Sequence, residues 1–437
     1  MEGIKTRFIG IFFKTREEWM TTWIASWYLS GCVVPLYDTL GEESIEWIVK
    51  QAELKTIVTT TTYLGKLAKL KLEGKLEHLR TVVTIEEPTK EESEILAKTN
   101  LKVLRYAECI EIGKKSSVVL NPKVTPNSLA IICYTSGTTS MPKGVMLTHR
   151  NYVALSEGML SLYYLKPKPD HSCLCWLPLA HVFEQFVAVT CIAAGIRVGF
   201  YSGDVTKLVG DLQELKPQYF GSVPRVFNRI YEQTMKETSK LTGFKKYLYE
   251  KGVAAKLANL RSTGRNTHAF YDRFVFNKIR NMLGGNLSVV FIGGAPVSSE
   301  VLEMSRVWLG CSIIQGYGQT ETTGPIIVQD PDDILPASIG HPVTTAEAKL
   351  EDIPEMKYFS TDTTDGKPTP RGEILLRGAA ITPGYWRDPV LTKETITADG
   401  WIHTGDVGKM SPQGNLTIID RKKHIFKLAQ VKYELKI

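Results

Sequence analysis

The segment YTSGTTSMPKG, residues 134–144, combines residue types that can bind phosphate. Glycine and small hydroxyl residues let backbone N–H groups approach an anion closely, and Lys143 adds a compact positive charge. The segment follows the apolar run LAIIC, which predicts a buried strand. A Walker A loop instead has Gly-Lys-Ser/Thr opening a helix, whereas Pro142 precedes Lys143 and residues 145–147 predict a strand. We therefore predict a phosphate-binding loop of another kind.

Further segments follow this loop in a fixed order, namely FIGGAP (291–296), GYGQTE (316–321), GWIHTGD (400–406) and DRKKHIFK (420–427). With the loop, they resemble the acyl-adenylate-forming ligases. Four more segments are similar to long-chain fatty acyl-CoA synthetases, namely VPLYDTLG (34–41), WLPLAHVFEQ (176–185), SVPRVFNRIY (222–231) and KLAQ (427–430). The resemblance extends to about residue 430.

The resemblance implies a two-step reaction. The carboxylate of a long-chain fatty acid attacks the α-phosphate of ATP, which gives acyl-AMP and pyrophosphate, and coenzyme A then displaces AMP. Triphosphate and carboxylate repel each other, so cations and N–H donors must align them. Mg²⁺ bridging phosphate oxygens needs one or two carboxylates rather than a protein cage. ATP, Mg²⁺ and coenzyme A are therefore the expected cofactors and co-substrates.

The resemblance also implies roles for individual residues. The β- and γ-phosphates would be bound by Thr135, Ser136, Gly137, Thr138, Thr139 and Lys143. The adenine slot would be lined by Gly294, Ala295 and Pro296, and Tyr317 would stack on the base. Gly316 and Gly318 would also belong to the nucleotide-binding site. Thr320 would contact the α-phosphate and Glu321 would hold Mg²⁺. Asp406 would accept hydrogen bonds from the ribose hydroxyls, with Arg421 pairing from the other side; taken alone, Asp406 in a TGD turn predicts only a turn.

Candidates for the acyl site are Trp176, His181 and Gly318. In the resembled family, the position of His181 lies near the acyl site and the nucleotide pocket. A histidine among apolar residues is also typical of a purely structural role, and Trp176 equally fits a core tryptophan. His181 and Glu184 are three residues apart and could suggest a pair of metal ligands. No third ligand follows at the spacing that metalloenzymes use, so a metal site is not predicted here.

Strands alternating with helices predict an α/β fold. Strands are expected at 8–13, 55–60, 81–85 and 129–134, helices at 42–52 and 64–79, and strand–helix units at 219–232 and 287–308. This pattern favours mixed or mainly parallel stacked sheets with flanking helices. Residues 1–419 are expected to form the adenylate-forming domain, with a basic helical insertion at about 234–285 and a β-rich part at about 338–419.

The ends of the sequence depart from the resembled pattern. Residues 420–430 correspond to an interdomain hinge with Lys423 at the pivot, and residues 431–437 leave the pattern, with Val431 where the family has glycine. We expect neither a membrane anchor before the first strand nor the small lysine-bearing domain after the hinge. Adenylation and thioester formation are then expected to be weak.

The alternative function is a non-catalytic adenylate- or acyl-binding regulatory protein. A ligase for aryl acids or amino acids is a further alternative.

Composition sets broad limits. A net charge of +7 is typical of a solvated surface with a slight excess of lysine, and the alternative is a surface that favours polyanionic ligands such as nucleotides or anionic lipid headgroups. No segment resembles an arginine-rich arm or a nucleic-acid module. Seven cysteines without CxxC pairs favour a reducing compartment. The uncharged run 19–35 predicts a buried amphipathic helix with tryptophans every four residues, and an interfacial membrane helix is the alternative.

The expected location is the cytoplasmic side of the endoplasmic reticulum or mitochondrial outer membrane, with peripheral membrane contact left open. Nothing in the residues predicts the oligomeric state.

Overall fold

The computed structural model describes residues 7–117, 123–135, 141–333, 335 and 337–422. The chain divides into two compact units. The first unit comprises Met1–Tyr152, Pro178–Gln185 and Thr382–Thr392, and the second comprises Val153–Leu177, Phe186–Ile381 and Lys393–Ile437. Each unit contains its own large sheet. The fold is mixed α/β, as predicted.

The strands are β1 Arg7–Phe12, β2 Gly31–Pro35, β3 Thr56–Thr59, β4 Thr81–Thr84, β5 Lys102–Arg105, β6 Leu129–Thr135, β7 Lys143–Thr148, β8 Ser172–Cys175, β9 Arg197–Phe200, β10 Tyr219–Ser222, β11 Val289–Ile292, β12 Ser312–Gln319, β13 Gly324–Val328, β14 Ser338–Pro342, β15 Ala346–Glu351, β16 Thr363–Thr364, β17 Lys367–Pro368, β18 Arg371–Gly378, β19 Ile402–Met410 and β20 Leu416–Arg421. The helices are α1 Glu17–Tyr28, α2 Glu42–Gln51, α3 Thr61–Leu72, α4 Lys90–Ala97, α5 Tyr106–Lys114, α6 His149–Leu160, α7 Val182–Ala193, α8 Leu208–Leu215, α9 Pro224–Ser239, α10 Gly243–Thr263, α11 Ala269–Tyr271, α12 Asn277–Met282, α13 Ser299–Leu309 and α14 Pro389–Thr395.

The first unit is built on a seven-stranded sheet of order β5-β4-β3-β1-β2-β6-β7. All neighbouring strands are parallel except β7, which runs antiparallel to β6. The predicted strands at 8–13, 55–60, 81–85 and 129–134 are confirmed to within one or two residues at their ends. Apolar side chains of these strands and of α2 and α3 form the core.

The uncharged run 19–35 forms a helix followed by a strand. Trp19 and Trp23 are fully buried on α1, which confirms the predicted buried helix. The helix ends at Tyr28, and the chain then turns at Ser30, whose φ is +54°. A Cβ on Gly31 would lie 3.0 Å from the carbonyl oxygen of Ser26, so glycine permits this turn into β2.

The second unit is built on an eleven-stranded sheet of order β15-β18-β19-β20-β14-β13-β12-β11-β10-β8-β9. Its β9-β8-β10-β11-β12 portion is parallel, and the strands beyond β12 are antiparallel. The predicted strand–helix units correspond to β10 with α9 and to β11 with α13. Parallel strands place their carboxyl ends along one edge of the sheet, which is where α/β proteins bind ligands.

Residues 234–285 are mainly helical and contain no strand. The helices pack around Phe276, Val307 and Trp308, all of which are buried. Lys256 is fully buried and forms an ion pair with Asp272, which begins a π-helical turn over residues 272–276. Among the residues that the structure describes, no helix is long and apolar enough to cross a membrane.

Candidate active site

The predicted phosphate loop connects the two antiparallel strands β6 and β7. In their register, Tyr134 faces Gly144 and Thr135 faces Lys143. The strand predicted at 145–147 is therefore confirmed, and the segment after Lys143 is a strand rather than the helix that follows a Walker A loop. Residues 136–140 lie outside the described part of the chain, so the candidates Ser136, Gly137, Thr138 and Thr139 remain predictions.

The base of this hairpin is anchored on both sides within the first unit. On one side, Trp47 of α2 donates from Nε1 to the carbonyl oxygen of Pro142 at 2.9 Å. On the other side, the backbone N–H of Trp386 donates to the carbonyl oxygen of Gly144 at 2.7 Å. A Cβ on Gly144 would lie 2.8 Å from a methyl carbon of Ile132, so a side chain here would disturb the packing. These contacts hold the end of the loop at Pro142 and Gly144 in place.

Lys143 begins β7 and is half-buried. Among the described residues, no carboxylate forms an ion pair with its ammonium group. A lysine that has lost part of its hydration without gaining an anionic partner is well suited to bind an anionic ligand.

In the second unit, two of the predicted segments follow neighbouring parallel strands. Gly294, Ala295 and Pro296 come directly after β11 and are exposed, and GYGQTE forms the end of β12 and the turn after it. Gly294 has a φ of +86°, and a Cβ there would meet nothing within 4 Å. The backbone therefore lies open at this position, as a slot for a flat base requires.

The side chain of Asp406 is bound from three directions. The hydroxyl of Tyr317 donates to Oδ2 at 2.7 Å, and Nε2 of Gln319 donates to the same oxygen at 3.0 Å. The Nε of Arg421, which faces Asp406 across β19 and β20, lies 3.3 Å from Oδ1. Burial raises the pKa of Tyr317 well above its usual range, so the phenol remains protonated and donates. Asp406 itself is only 5% exposed.

The chain reverses direction at residues 319–324, between β12 and β13. Thr320 and Glu321 lie in a 3-10 turn and are half-buried. Gly318 faces Pro325 across the hairpin, and a Cβ on Gly318 would lie 1.9 Å from the carbonyl oxygen of Gly324. Glycine at position 318 is therefore required by the close approach of two backbone segments.

His181 precedes the first residue of α7 in the first unit. Its Nδ1 accepts a hydrogen bond from the backbone N–H of Phe183 at 3.1 Å, which leaves Nε2 as the protonated nitrogen of the neutral ring. Although part of the side chain is exposed to solvent, the protein atoms around the imidazole lower the pKa of His181 by desolvation. The imidazole is therefore neutral near pH 7, with Nε2–H as a donor.

Trp176 lies at the end of β8 and is buried. Its Nε1 donates to the carbonyl oxygen of Gly221 at 2.7 Å, and its ring stacks on Phe220 with centroids 6.0 Å apart. These contacts are those of a core tryptophan that holds the end of β10.

An apolar cavity of about 40 Å³ lies beside this tryptophan. Its walls come from α6, α7 and the strands β8, β10 and β11, and include Cys173, Val187, Phe220, Gly221 and Phe291. Phe291, which lines the cavity, precedes Gly294 of the predicted adenine slot by only three residues in the sequence. Sequence reasoning missed this cavity, because apolar residues that line a cavity have the same pattern as residues that fill a core.

The structure therefore brings together one part of the predicted site within each unit. Thr135 and Lys143 meet in the first unit. Tyr317, Asp406 and Arg421 meet in the second. Sequence reasoning did not assign Gln319 a role, although its position inside the GYGQTE segment was a usable signal. Lys423 and residues 431–437 lie outside the described residues.

Comparisons with known proteins agree with these observations. The chain is 39% identical over 425 residues to peroxisomal long chain acyl-CoA synthetase 7 of Arabidopsis thaliana, a match that covers 97% of this chain and 59% of the relative. It is 37% identical over 438 residues to human long-chain-fatty-acid–CoA ligase 1, covering 99% of this chain and 61% of the relative. The chain thus spans about three fifths of the length of these relatives.

Solved structures show the same fold. The adenylation and carrier didomain of a carboxylic acid reductase from Segniliparus rugosus, in complex with AMP, matches with a TM-score of 0.75 at 25% identity, covering 95% of this chain and 55% of that one. A putative long-chain-fatty-acid CoA ligase from Rhodopseudomonas palustris matches with a TM-score of 0.70 at 17% identity, covering 96% and 87%. The family model described as AMP-binding enzyme matches residues 2–386. The chain belongs to the AMP-binding enzyme family.

Proposed function

We propose that this chain is the adenylate-forming portion of a long-chain fatty acid–CoA ligase. A carboxylate oxygen of the fatty acid attacks the α-phosphorus of ATP, the bond to the bridging oxygen breaks, and pyrophosphate leaves. The thiol of coenzyme A then attacks the acyl carbon, and AMP leaves. The observation that carries the proposal is the buried Asp406, which Tyr317 and Gln319 of β12 hold by hydrogen bonds, on the strand next to β11 and its open backbone at Gly294.

In this proposal the second unit binds the adenosine portion of ATP. Asp406 keeps its acceptor character because a phenol, an amide and a guanidinium all donate to it or pair with it. A carboxylate whose position is held by neighbours can accept hydrogen bonds from ribose hydroxyls without first paying an ordering cost. The open backbone at Gly294, Ala295 and Pro296 accepts the base, with the ring of Tyr317 on its other side.

The hairpin between β6 and β7 binds the β- and γ-phosphates in this proposal. The hydroxyl of Thr135 and the ammonium group of Lys143 lie at paired positions at its base. The α-phosphate is contacted by Thr320. Hydroxyl and carboxylate oxygens are ligands that Mg²⁺ prefers, so the donor set of Thr320 and Glu321 fits this ion. When bound, Mg²⁺ supplies positive charge to the phosphate oxygens.

The acyl chain is proposed to enter the apolar cavity of the second unit. At about 40 Å³ the cavity has room for about one or two methylene groups, so we propose that it receives the far end of a long chain, where each methylene buried against Val187, Phe220 and Phe291 contributes about 0.8 kcal/mol. The neutral His181 is proposed to donate from Nε2 to the reacting carboxylate. The names of the relatives, which are long-chain acyl-CoA synthetases, support the same substrate class.

Residues 420–430 are proposed as an interdomain hinge and Lys423 as its pivot. The proposed location is the cytoplasmic face of an intracellular membrane. Both rest on the resemblance of the sequence.

Radiolabelled pyrophosphate exchange into ATP tests the proposal directly. With Mg²⁺ present, palmitate is expected to stimulate exchange more strongly than octanoate, and benzoate is expected to give none. Calorimetry of Mg-ATP binding runs alongside. Binding of Mg-ATP without exchange for any acid would favour the non-catalytic adenylate-binding alternative, and absence of binding would contradict both.

A further inference from the structure

The positive charge of this protein is concentrated in one helical segment. Residues 243–282, from α10 to α12, contain nine basic and two acidic residues, a net charge of +7. The whole chain also has a net charge of +7, so the remaining residues are balanced. The segment lies within the basic helical insertion that the sequence predicts at about 234–285. Of the two acidic residues, Asp272 forms an ion pair with the buried Lys256. Oε1 of Glu250 lies 3.8 Å from Nζ of Lys246.

The same segment exposes four aromatic rings. The exposed fractions are 72% for Phe244, 54% for Tyr247, 49% for Phe270 and 65% for Phe274. Water-exposed phenylalanine is unfavourable for a free surface, and exposed apolar groups in a cluster usually mark an interaction site.

On α10, the exposed aromatic side chains lie on one face. Phe244, Tyr247 and Lys251 are spaced three and four residues apart and therefore project from the same side of the helix. Gly252, Lys256 and Leu260 are buried and form the face that packs inward. The helix therefore buries one face in the protein and presents the other, aromatic and basic, to the surroundings.

Cations accompany the rings on both elements of this surface. The Nζ of Lys251 lies 5.7 Å from the centre of the Tyr247 ring. The Cζ of Arg273 lies 5.5 Å from the centre of the Phe274 ring. The rings also associate in pairs, with centroids 6.4 Å apart for Phe244 and Tyr247 and 5.1 Å apart for Phe270 and Phe274. We call these exposed side chains the basic aromatic surface: Phe244, Lys245, Tyr247, Lys251, Phe270, Arg273 and Phe274.

The two elements that carry this surface are fixed to each other from behind. Lys256 of α10 pairs with Asp272, and a Cβ on Gly252 would lie 3.0 Å from the ring of Tyr271, so the backbones approach closely. The Nζ of Lys256 also lies 4.8 Å from the centre of the Phe276 ring. Breaking a buried ion pair is costly, so the segment is held rigidly at this point.

We propose that the basic aromatic surface binds the headgroup region of an anionic lipid bilayer. Aromatic rings partition into this region, and lysine and arginine beside them bind acidic lipid headgroups. A single-stranded nucleic acid would instead need free ring faces for base stacking, whereas cations already cover the faces of Tyr247 and Phe274. This inference does not depend on the ligase activity, because binding is measured without any substrate.

Vesicle sedimentation tests the surface with the whole chain. Vesicles of neutral phosphatidylcholine are compared with vesicles that contain about 30 mol % phosphatidylserine, and binding is expected only to the acidic vesicles. Binding is expected to weaken as salt rises, because salt screens exposed charges. Replacing two rings in Phe244→Ser/Phe274→Ser is expected to weaken partitioning at least about tenfold.

Matched variants separate this surface from general effects. Tyr28→Ser/Val390→Ser removes two side chains of similar exposure, 60% and 65%, from other helices and is expected to bind like the unchanged protein. The charge variant Lys245→Gln/Lys251→Gln/Arg273→Gln is expected to weaken binding by about fivefold for each charge removed. Its control carries the same charge change at Lys90, Lys98 and Lys102, all of which are exposed.

Several outcomes would overturn the proposal. These are equal binding to neutral and acidic vesicles, equal loss in the test and control variants, or binding of single-stranded RNA that competes with vesicles and does not require the rings. Concentration-dependent self-association that the ring variant abolishes, without vesicle binding by the unchanged protein, would assign the surface to a second copy of this chain. Circular dichroism verifies that every variant is folded before binding is compared.

Discussion

Thr135 and Lys143 are paired residues at the end of the β6–β7 ladder, and residues 136–142 connect them. Paired residues in an antiparallel ladder have Cα atoms about 5 Å apart. The ladder therefore brings the hydroxyl of Thr135 and the ammonium group of Lys143 together at the base of a loop rich in glycine, serine and threonine. Pairing of the strands, rather than proximity in the sequence, determines this arrangement.

Replacement of Lys143 by alanine is expected to weaken Mg-ATP binding and to lower palmitate-dependent exchange by about 100-fold, because one preorganised positive charge is lost. Calorimetry and pyrophosphate exchange measure the two effects. Lys98→Ala removes an exposed lysine elsewhere in the first unit and is the control. Equal loss in both variants, or none in Lys143→Ala, would contradict the role of the hairpin.

Replacement of Asp406 by asparagine tests the ribose contact. It is expected to raise the KM for ATP by more than tenfold, because hydrogen bonds to a charged acceptor contribute about 1.5–3 kcal/mol. Exchange with 2′-deoxy-ATP and 3′-deoxy-ATP identifies the hydroxyl involved. A deoxynucleotide that lacks the contacted hydroxyl should lose less from the substitution than ATP does. Equal losses for all three nucleotides would show that Asp406 acts only through the folded structure.

The hydroxyl of Tyr317 is expected to act by positioning Asp406. Tyr317→Phe keeps the ring but removes the 2.7 Å hydrogen bond, so we expect a several-fold rise in the KM for ATP with kcat nearly unchanged. A loss in kcat alone would be inconsistent with a positioning role.

His181→Asn separates the helix-capping role of this residue from a role in catalysis. Asparagine also caps helix N-termini, so the stability at pH 7.5 should change by less than about 1 kcal/mol. Exchange driven by palmitate is nevertheless expected to fall at least about tenfold, because the Nε2–H donor is gone. Normal exchange in this variant would show that His181 is purely structural.

The same substitution also predicts a pH effect. The folded protein lowers the pKa of His181 by desolvation, so the stability contributed by the neutral ring is present above about pH 6.5 and is lost as the pH falls through the lowered folded-state pKa. Urea unfolding from pH 7.5 to pH 5 should therefore show a smaller loss of stability in His181→Asn than in the unchanged protein. Identical pH dependence in the two proteins would argue against the lowered pKa.

Val187→Phe tests the apolar cavity as the acyl site. The larger side chain fills the cavity of about 40 Å³ that is proposed to receive the far end of a long chain, so palmitate-dependent exchange should fall while exchange with the shorter octanoate is largely retained. Val209→Phe adds the same bulk at an exposed position and should leave the preference unchanged. Parallel losses for both acids would indicate misfolding rather than a shorter acyl site.

Gly318→Ala is expected to lower the free energy of unfolding by about 1–3 kcal/mol, because the new Cβ forces two backbone segments apart. Gly65→Ala is the matched control. Position 65 lies inside α3, and an added Cβ there meets nothing within 4 Å, so alanine should stabilise the helix by about 0.5–1 kcal/mol. Urea unfolding compares both variants, and equal effects would contradict the close approach at Gly318.

Local patterns allowed much of the fold to be predicted. Short apolar runs with turn residues at their ends predicted strands such as β3 and β4, because a fully buried strand needs apolar side chains on both faces. The structure of the uncharged run 19–35 was less predictable, because its residues form a helix followed by a strand. Its division into a helix and a strand depends on the φ of Ser30 and on packing around Gly31, and composition reports neither.

The sequence by itself determined which chemical groups are available and the order in which they occur, because residue types and their local spacing are written along the chain. The tertiary structure decided which of them meet. Tyr317 and Asp406 are 89 residues apart in sequence, yet their side chains form a buried hydrogen bond. The cavity beside β10 likewise exists only because helices and strands of one unit leave a space. Contacts between distant residues depend on how sheets pair and helices pack, which one-dimensional periodicity does not specify.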